Sequence, residues 1–98
     1  MATSVELTVA DNPDEQRYEA RIGSEVVGFI TYRQRPDRIT LIHTEVAADL
    51  EGEGVGSLLV AGALDDMRAR GLAVVPLCPF VSDFLRRHPE YSDLVASK

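Results

Sequence analysis

The chain has no tryptophan, one cysteine and two histidines in 98 residues. A single cysteine excludes an internal disulfide and leaves a free thiol, which suits a reducing cytosol, so a cytoplasmic location is expected. One Cys and two distant His give no metal-ligand spacing, and no metal site is expected. Basic residues are also scarce: 10 Lys and Arg face 16 Asp and Glu, a net charge of −6. Nucleic-acid binding rests on cations that neutralise phosphates, so nucleic acid is not an expected partner. No apolar run approaches membrane-spanning length, and Met1 to Val9 is too polar for a secretion signal, so no membrane partner is expected either. What is present is apolar material for one core, 45% of the residues. Residues 1–98 are read as a single domain, a size that buries only about 60–65% of its extended surface.

Period-2 alternation marks the first half. Val5, Leu7 and Val9 alternate with polar or small residues, and Asp11-Asn12-Pro13-Asp14 reads as a turn. Arg17 to Ile22 alternates again, Gly23-Ser24 suits a hairpin turn, and Glu25 to Arg33 is apolar on both faces, as in a central strand. After Gln34-Arg35-Pro36-Asp37, the run Ile39 to Val46 makes a fourth strand. The period then changes. Val55, Leu59, Ala63 and Met67 recur at helical spacing, and Gly71 fits the residue after a helix end. Leu72 to Leu77 reads as a strand buried on both faces beside a parallel neighbour. Pro79 suits the first turn of a short helix bearing Phe80, Val81, Phe84 and Leu85, with Asp83 in its first turn and Arg86, Arg87 and His88 in its last. Tyr91, Leu94 and Val95 are placed to fold back on the body. The fold class is α/β: a four-strand antiparallel meander, a helix, a parallel fifth strand and a short C-terminal helix.

Between the fourth strand and the long helix lies Glu51-Gly52-Glu53-Gly54-Val55-Gly56. Alternate glycines let the backbone approach a ligand closely and aim N–H groups at the positive end of a helix, where a phosphate binds well. A P-loop would need Gly-Lys-Ser/Thr, but Gly56 is followed by Ser57 with no lysine. The dinucleotide fingerprint fails as well, because Ser57 stands where its third glycine belongs and a meander precedes the loop.

A meander, a loop of the form [Q/R]-x-x-G-x-[G/A], a helix and a strand resemble the coenzyme A core of the GNAT superfamily of N-acetyltransferases. The compact length, His43-Thr44-Glu45-Val46, Val75-Pro76-Leu77-Cys78-Pro79-Phe80-Val81 and His88-Pro89-Glu90-Tyr91 resemble its small bacterial YjdJ-type members. The resemblance implies acetyl-CoA as co-substrate and an amine or protein acceptor that the sequence leaves unidentified. It places the pyrophosphate on the amides of Gly52, Glu53, Gly54, Val55, Gly56 and Ser57, and the pantetheine in a splay near Val46 and Leu77, with the thioester approaching Cys78. Glu51 stands where the superfamily prefers Gln or Arg, and Glu53 adds a second acid. A carboxylate about 8 Å from a phosphate charge in water costs roughly 0.5 kcal/mol. Backbone N–H bonds to that charge, at about 1.5–3 kcal/mol each, outweigh it.

Cys78, just before Pro79, falls at a helix N-cap, where free amides favour a thiolate. It is either an acetyl-accepting nucleophile or a small buried hydrophobe. His43 and Glu45 share one strand face, together with Ile39 and Leu41 if the alternation is unbroken. Each is either a general base for the amine or the polar end of a strand. Arg86 and Arg87 read as solvated cations rather than ligands of the 3′-phosphate, and His88 as a helix-end cation. Only Ala10 to Gln16 separate the first two strands, too few for the helices that shape the acceptor site in larger acetyltransferases. The alternative is a non-catalytic acyl-CoA-binding or protein-interaction module.

Overall fold

The computed structural model describes residues 7–50, 52 and 54–96. Strands β1 (Leu7–Asn12), β2 (Arg17–Ile22), β3 (Glu25–Gln34) and β4 (Arg38–Val46) form the antiparallel meander. Helix α1 (Val55–Ala69) crosses to β5 (Ala73–Pro76), which pairs parallel with β4. Helix α2 (Pro79–Arg87) and a 3-10 segment, Pro89–Leu94, complete the order, and the strands lie in the sheet as β1-β2-β3-β4-β5. The expected mixed sheet is therefore formed. Val5, the expected start of the first strand, lies outside the described residues.

Three expectations are corrected. Asp11 and Asn12 are strand, not turn, paired with Tyr18 and Arg17; their side chains have distant partners, Tyr32 and Glu19, that outweigh a local turn. The fifth strand has the expected parallel neighbour, β4, but is not buried along both faces. It is the sheet edge, fully buried only at Val74, and its outer side is capped by a bridge to Val95 and the Ala96 N–H bond to the Val74 carbonyl at 2.8 Å. Asp83 lies beyond the first turn of α2, where it pairs with Arg86 and Arg87.

Helix α1 lays Leu59, Val60, Ala63, Leu64 and Met67 against a sheet face made by Tyr18, Ala20, Ile30, Ile39 and Leu41. Each large apolar side chain so buried contributes about 1.5–3 kcal/mol. Val81, Phe84 and Leu85 of α2 join the same core. The far end of α1 is fastened by polar bonds: Tyr18 donates to Asp66 at 2.7 Å, Tyr32 donates to Asp11 at 2.6 Å, and Arg70 donates to Tyr18, Asp66 and Asp11. Burial first, then the bond to Asp66, pushes the Tyr18 phenol above its ordinary range, so it remains a donor. With that end held, the other end of α1 is fixed over the glycine loop. On the opposite sheet face, covered by no helix among the described residues, Glu19 is buried beneath Arg17 and Arg21.

Candidate active site

The site begins where α1 begins. Gly54 caps the helix in a left-handed conformation, φ 86°, and Gly52 has φ 85°, both backbone states that only glycine adopts without strain. The first intrahelical bond there runs from Leu58 N–H to the Gly54 carbonyl, so the N–H groups of Val55, Gly56 and Ser57 belong to the unpaired first turn. No atom lies within 4 Å of a Cβ added at Gly54. Gly54→Ala is therefore expected to lower stability through the backbone alone, by about 1–2 kcal/mol in chemical denaturation. A variant as stable as the parent would show that the loop is not held in this conformation.

Gly56 has a different reason. A Cβ there would lie 2.5 Å from the ring of Phe80. The ring from α2 thus rests on the helix start and forms one wall of a cavity of about 390 Å³. Thr44, Val46, Leu50, Gly52, Gly54, Gly56, Ser57, Phe80 and Arg87 line it. Glu51 and Glu53, expected in the loop, lie outside the described residues.

The other end of the cavity is shaped by a fault in β4. Tyr32 pairs with Leu41 and Thr31 with His43, so Ile42 is an extra residue on β4, a β-bulge. Side chains of Ile39 and Leu41 point into the core, and beyond Ile42 the parity changes, so Thr44 and Val46 continue that face opposite Ile30 and Gly28. His43 and Glu45 are thereby turned to the opposite face. This corrects the expectation that they share a face with Ile39 and Leu41. They form an exposed pair, Nε2 to Oε2 2.9 Å, and neither lines the cavity. An exposed pair of this kind contributes less than about 1 kcal/mol.

Pairing of β4 with β5 ends at Leu41 and Pro76, and the Leu41 carbonyl accepts from both Leu77 and Cys78 N–H groups at 3.0 Å. Beyond that point β4 has no strand neighbour on this side among the described residues, and the two strands separate. Leu77, expected beside the pantetheine, is 64% exposed and outside the cavity lining. Cys78 caps α2 with extended backbone, its carbonyl accepting from Ser82 N–H. Its side chain is buried, 3% exposed, and its Sγ lies 3.2 Å from Thr44 Oγ1. Thr44 reaches the cavity, so it connects the buried thiol to the space over the glycine loop. His88, with Nδ1 donating to the Phe84 carbonyl at 2.9 Å and its ring stacked on Phe84, finishes α2 and takes no part in the cavity.

Thr44, Leu50, Phe80 and Arg87 are cavity residues that the sequence reading did not select. Thr44 needed the bulge to be recognised, and Phe80 needed the contact between helices. Arg87, read as a solvated cation, is largely exposed and pairs with Asp83 at 3.1 Å, and it also lines the cavity, a place the sequence did not indicate.

Comparison with known proteins gives three findings. The family described as GCN5-related N-acetyl-transferase matches residues 17–94. The solution structure of a GCN5-like protein from Staphylococcus aureus superimposes with a TM-score of 0.70 at 26% identity, covering 94% of this chain and 90% of that one. The crystal structure of a ribosomal-protein-alanine N-acetyltransferase from Brucella melitensis biovar Abortus shares the fold, with a TM-score of 0.57 at 22% identity, over 84% of this chain and 62% of that one. No protein of curated function matches.

Proposed function

Because the chain belongs to the GCN5-related N-acetyltransferase family, we propose that it takes acetyl-CoA as acyl donor and passes the acetyl group through Cys78 to an amine. One observation carries this reading: a single cavity has the glycine loop at one end and Thr44, in contact with Cys78, at the other. The free N–H groups of Val55, Gly56 and Ser57, with the positive end of α1 behind them, suit a pyrophosphate. The separated edge of β4 near Val46 suits the pantetheine arm.

In the first step the Cys78 thiolate attacks the thioester carbonyl carbon. A bond from Sγ to carbon forms, the coenzyme's sulfur–carbon bond breaks, and the coenzyme leaves as a thiol carrying the proton that Cys78 gave up. In the second step a neutral amine attacks the acetyl carbon, the bond to Sγ breaks, and the departing Cys78 takes the proton lost by the amine. Thr44 orients Sγ and offers it a hydroxyl partner throughout. His43 and Glu45 lie on the opposite face from the cavity and are proposed to take the first proton, from the ammonium form of an acceptor approaching that open face, which leaves the neutral amine of the second step. No helix follows β1 to enclose an acceptor, so a bulky acceptor, such as the amine of a protein, is favoured.

A second reading, acyl-CoA binding without transfer, is favoured by one observation: no His, Asp or Glu appears among the described residues lining the cavity. Both readings require the coenzyme. At 100 times its Kd, acetyl-CoA is expected to add about 2.7 kcal/mol of stability. That raises the melting temperature by roughly 10 °C or more for a domain of this size. An unchanged melting temperature at saturating acetyl-CoA would overturn both.

A further inference from the structure

We propose that Arg87 supplies the cation that the glycine loop lacks and holds the pyrophosphate of the coenzyme from the α2 side. This rests on the acetyl-CoA reading above. In sequence the loop carries Glu51 and Glu53 and no basic residue, although it would receive a doubly charged diphosphate. Among the described residues lining the cavity Arg87 is the one that bears a full charge, and it faces the same space as Gly52, Gly54, Gly56 and Ser57. It closes α2, whose first residues rest on the start of α1 through Phe80 and Gly56. Arg87 therefore lines the same cavity as the free amides of the α1 first turn, so an anion held there has donors within the lining from both helices.

The chemistry of the partner it holds now agrees with such a role. Arg87 pairs with Asp83 at 3.1 Å, one helical turn back, with both side chains largely exposed. An exposed pair of this spacing is weak, worth about 0.3–0.5 kcal/mol, so a phosphate can displace it. Asp83 does not lose its counter-charge when Arg87 turns away, because Arg86 pairs with it too. The planar fork of arginine suits two phosphate oxygens at once, which lysine or a single amide does not match. Cavity position selects the pyrophosphate over the 3′-phosphate, since the glycine backbone that would hold the former lines the same wall space as Arg87.

Arg86 provides the internal control. It has the same charge, the same partner and a similar exposure, but it does not line the cavity. The test is the dissociation constant of acetyl-CoA, measured by calorimetry for the parent, Arg87→Gln and Arg86→Gln. Arg87→Gln is expected to weaken binding about tenfold, the loss of one charge-assisted contact, and Arg86→Gln less than about twofold. Repeated with 3′-dephospho-coenzyme A, the penalty of Arg87→Gln is expected to persist. Equal effects of the two substitutions would reduce Arg87 to general surface charge and overturn the proposal. A penalty that vanishes with the dephospho compound would overturn the assignment to the pyrophosphate. Failure of the parent itself to bind acetyl-CoA would instead overturn the function proposed above, and this proposal with it.

Discussion

Cys78→Ala is expected to reduce acetyl transfer at least about a thousandfold, the scale seen when a covalent nucleophile is removed, while acetyl-CoA still binds. The parent protein, incubated with acetyl-CoA alone, should gain the mass of one acetyl group on Cys78, and the variant should gain none. The side chain is buried against Thr44 at 3.2 Å, so a loss of activity could also follow from a disturbed helix start. Cys78→Ser separates the two causes. It keeps the volume and a hydrogen-bonding partner for Thr44, so it should melt like the parent and bind acetyl-CoA normally, yet transfer poorly because a hydroxyl is the weaker nucleophile. Substantial activity in Cys78→Ala would overturn the covalent route and favour direct attack of the amine on the thioester. Binding with no acetylated Cys78 and no transfer to any amine would favour the acyl-CoA-binding module.

The elements most legible in the sequence are those set by local chemistry. The spacing of Val55, Leu59, Ala63 and Met67 locates α1, and alternate glycines locate the loop because no other residue adopts φ near +85° freely. Cys78 before Pro79 gives the N-cap of α2. The family match extends over residues 17–94, which contain all these elements. Features that depend on distant partners were hidden. The bulge at Ile42, between Leu41 and His43, carries no local mark such as a glycine or proline, so counting by twos runs straight through it and puts His43 and Glu45 on the wrong face. Asp11 and Asn12 are turn formers by local preference, but Tyr32 and Glu19 draw them into β1. Arg87 could be seen as a helix-end cation, but its place in the cavity depends on where α2 lies against α1. The binding half of the candidate site is thus more legible than its catalytic half, because a glycine loop is a backbone property and a reacting pair is a tertiary one.

The bare sheet face supplies the second large expected effect. β1 turns back into β2 through Pro13 to Gln16 alone, so no helix between these strands covers that face. In the middle of that face Glu19, 2% exposed, accepts from Arg21 on Oε1 and from Arg17 and Asn12 on Oε2, at 2.7–3.1 Å for Arg17, Asn12 and the Arg21 Nε. Arg17 also lies over Phe29, 4.6 Å from the ring centre. This charged cluster does the work of a lid. Burial raises the Glu19 pKa, but the bonds from Arg21, Arg17 and Asn12 more than reverse that and hold it down at about 2, against an ordinary 4.5. Such a shift corresponds to about 3 kcal/mol of stability. Breaking a fully buried pair costs about 3–5 kcal/mol; here both arginines keep some water, with 28% and 42% of their side chains exposed, which favours the lower end. Glu19→Gln keeps the shape, but its amide nitrogen must face a donor whichever way it is turned, because both carboxylate oxygens now accept. The variant is expected to be less stable than the parent by about 2–3 kcal/mol at pH 7 in urea denaturation. The sign with pH follows from a lowered folded pKa. The parent's advantage is complete above about pH 4.5, where the unfolded side chain is also ionised, and is lost as pH falls through 4.5 towards 2. The gap between the two proteins should therefore be flat from pH 7 to 5 and close below that. A gap that stays constant down to pH 3 would mean that the carboxylate charge is not what secures this face. His43 and Glu45 stand on the same face, with Glu45 paired across β3 from Phe29 and Phe29 from Glu19. A loosened cluster would thus be felt where we propose the amine arrives, and transfer by Glu19→Gln should fall while acetyl-CoA affinity, governed from the other face, stays unchanged.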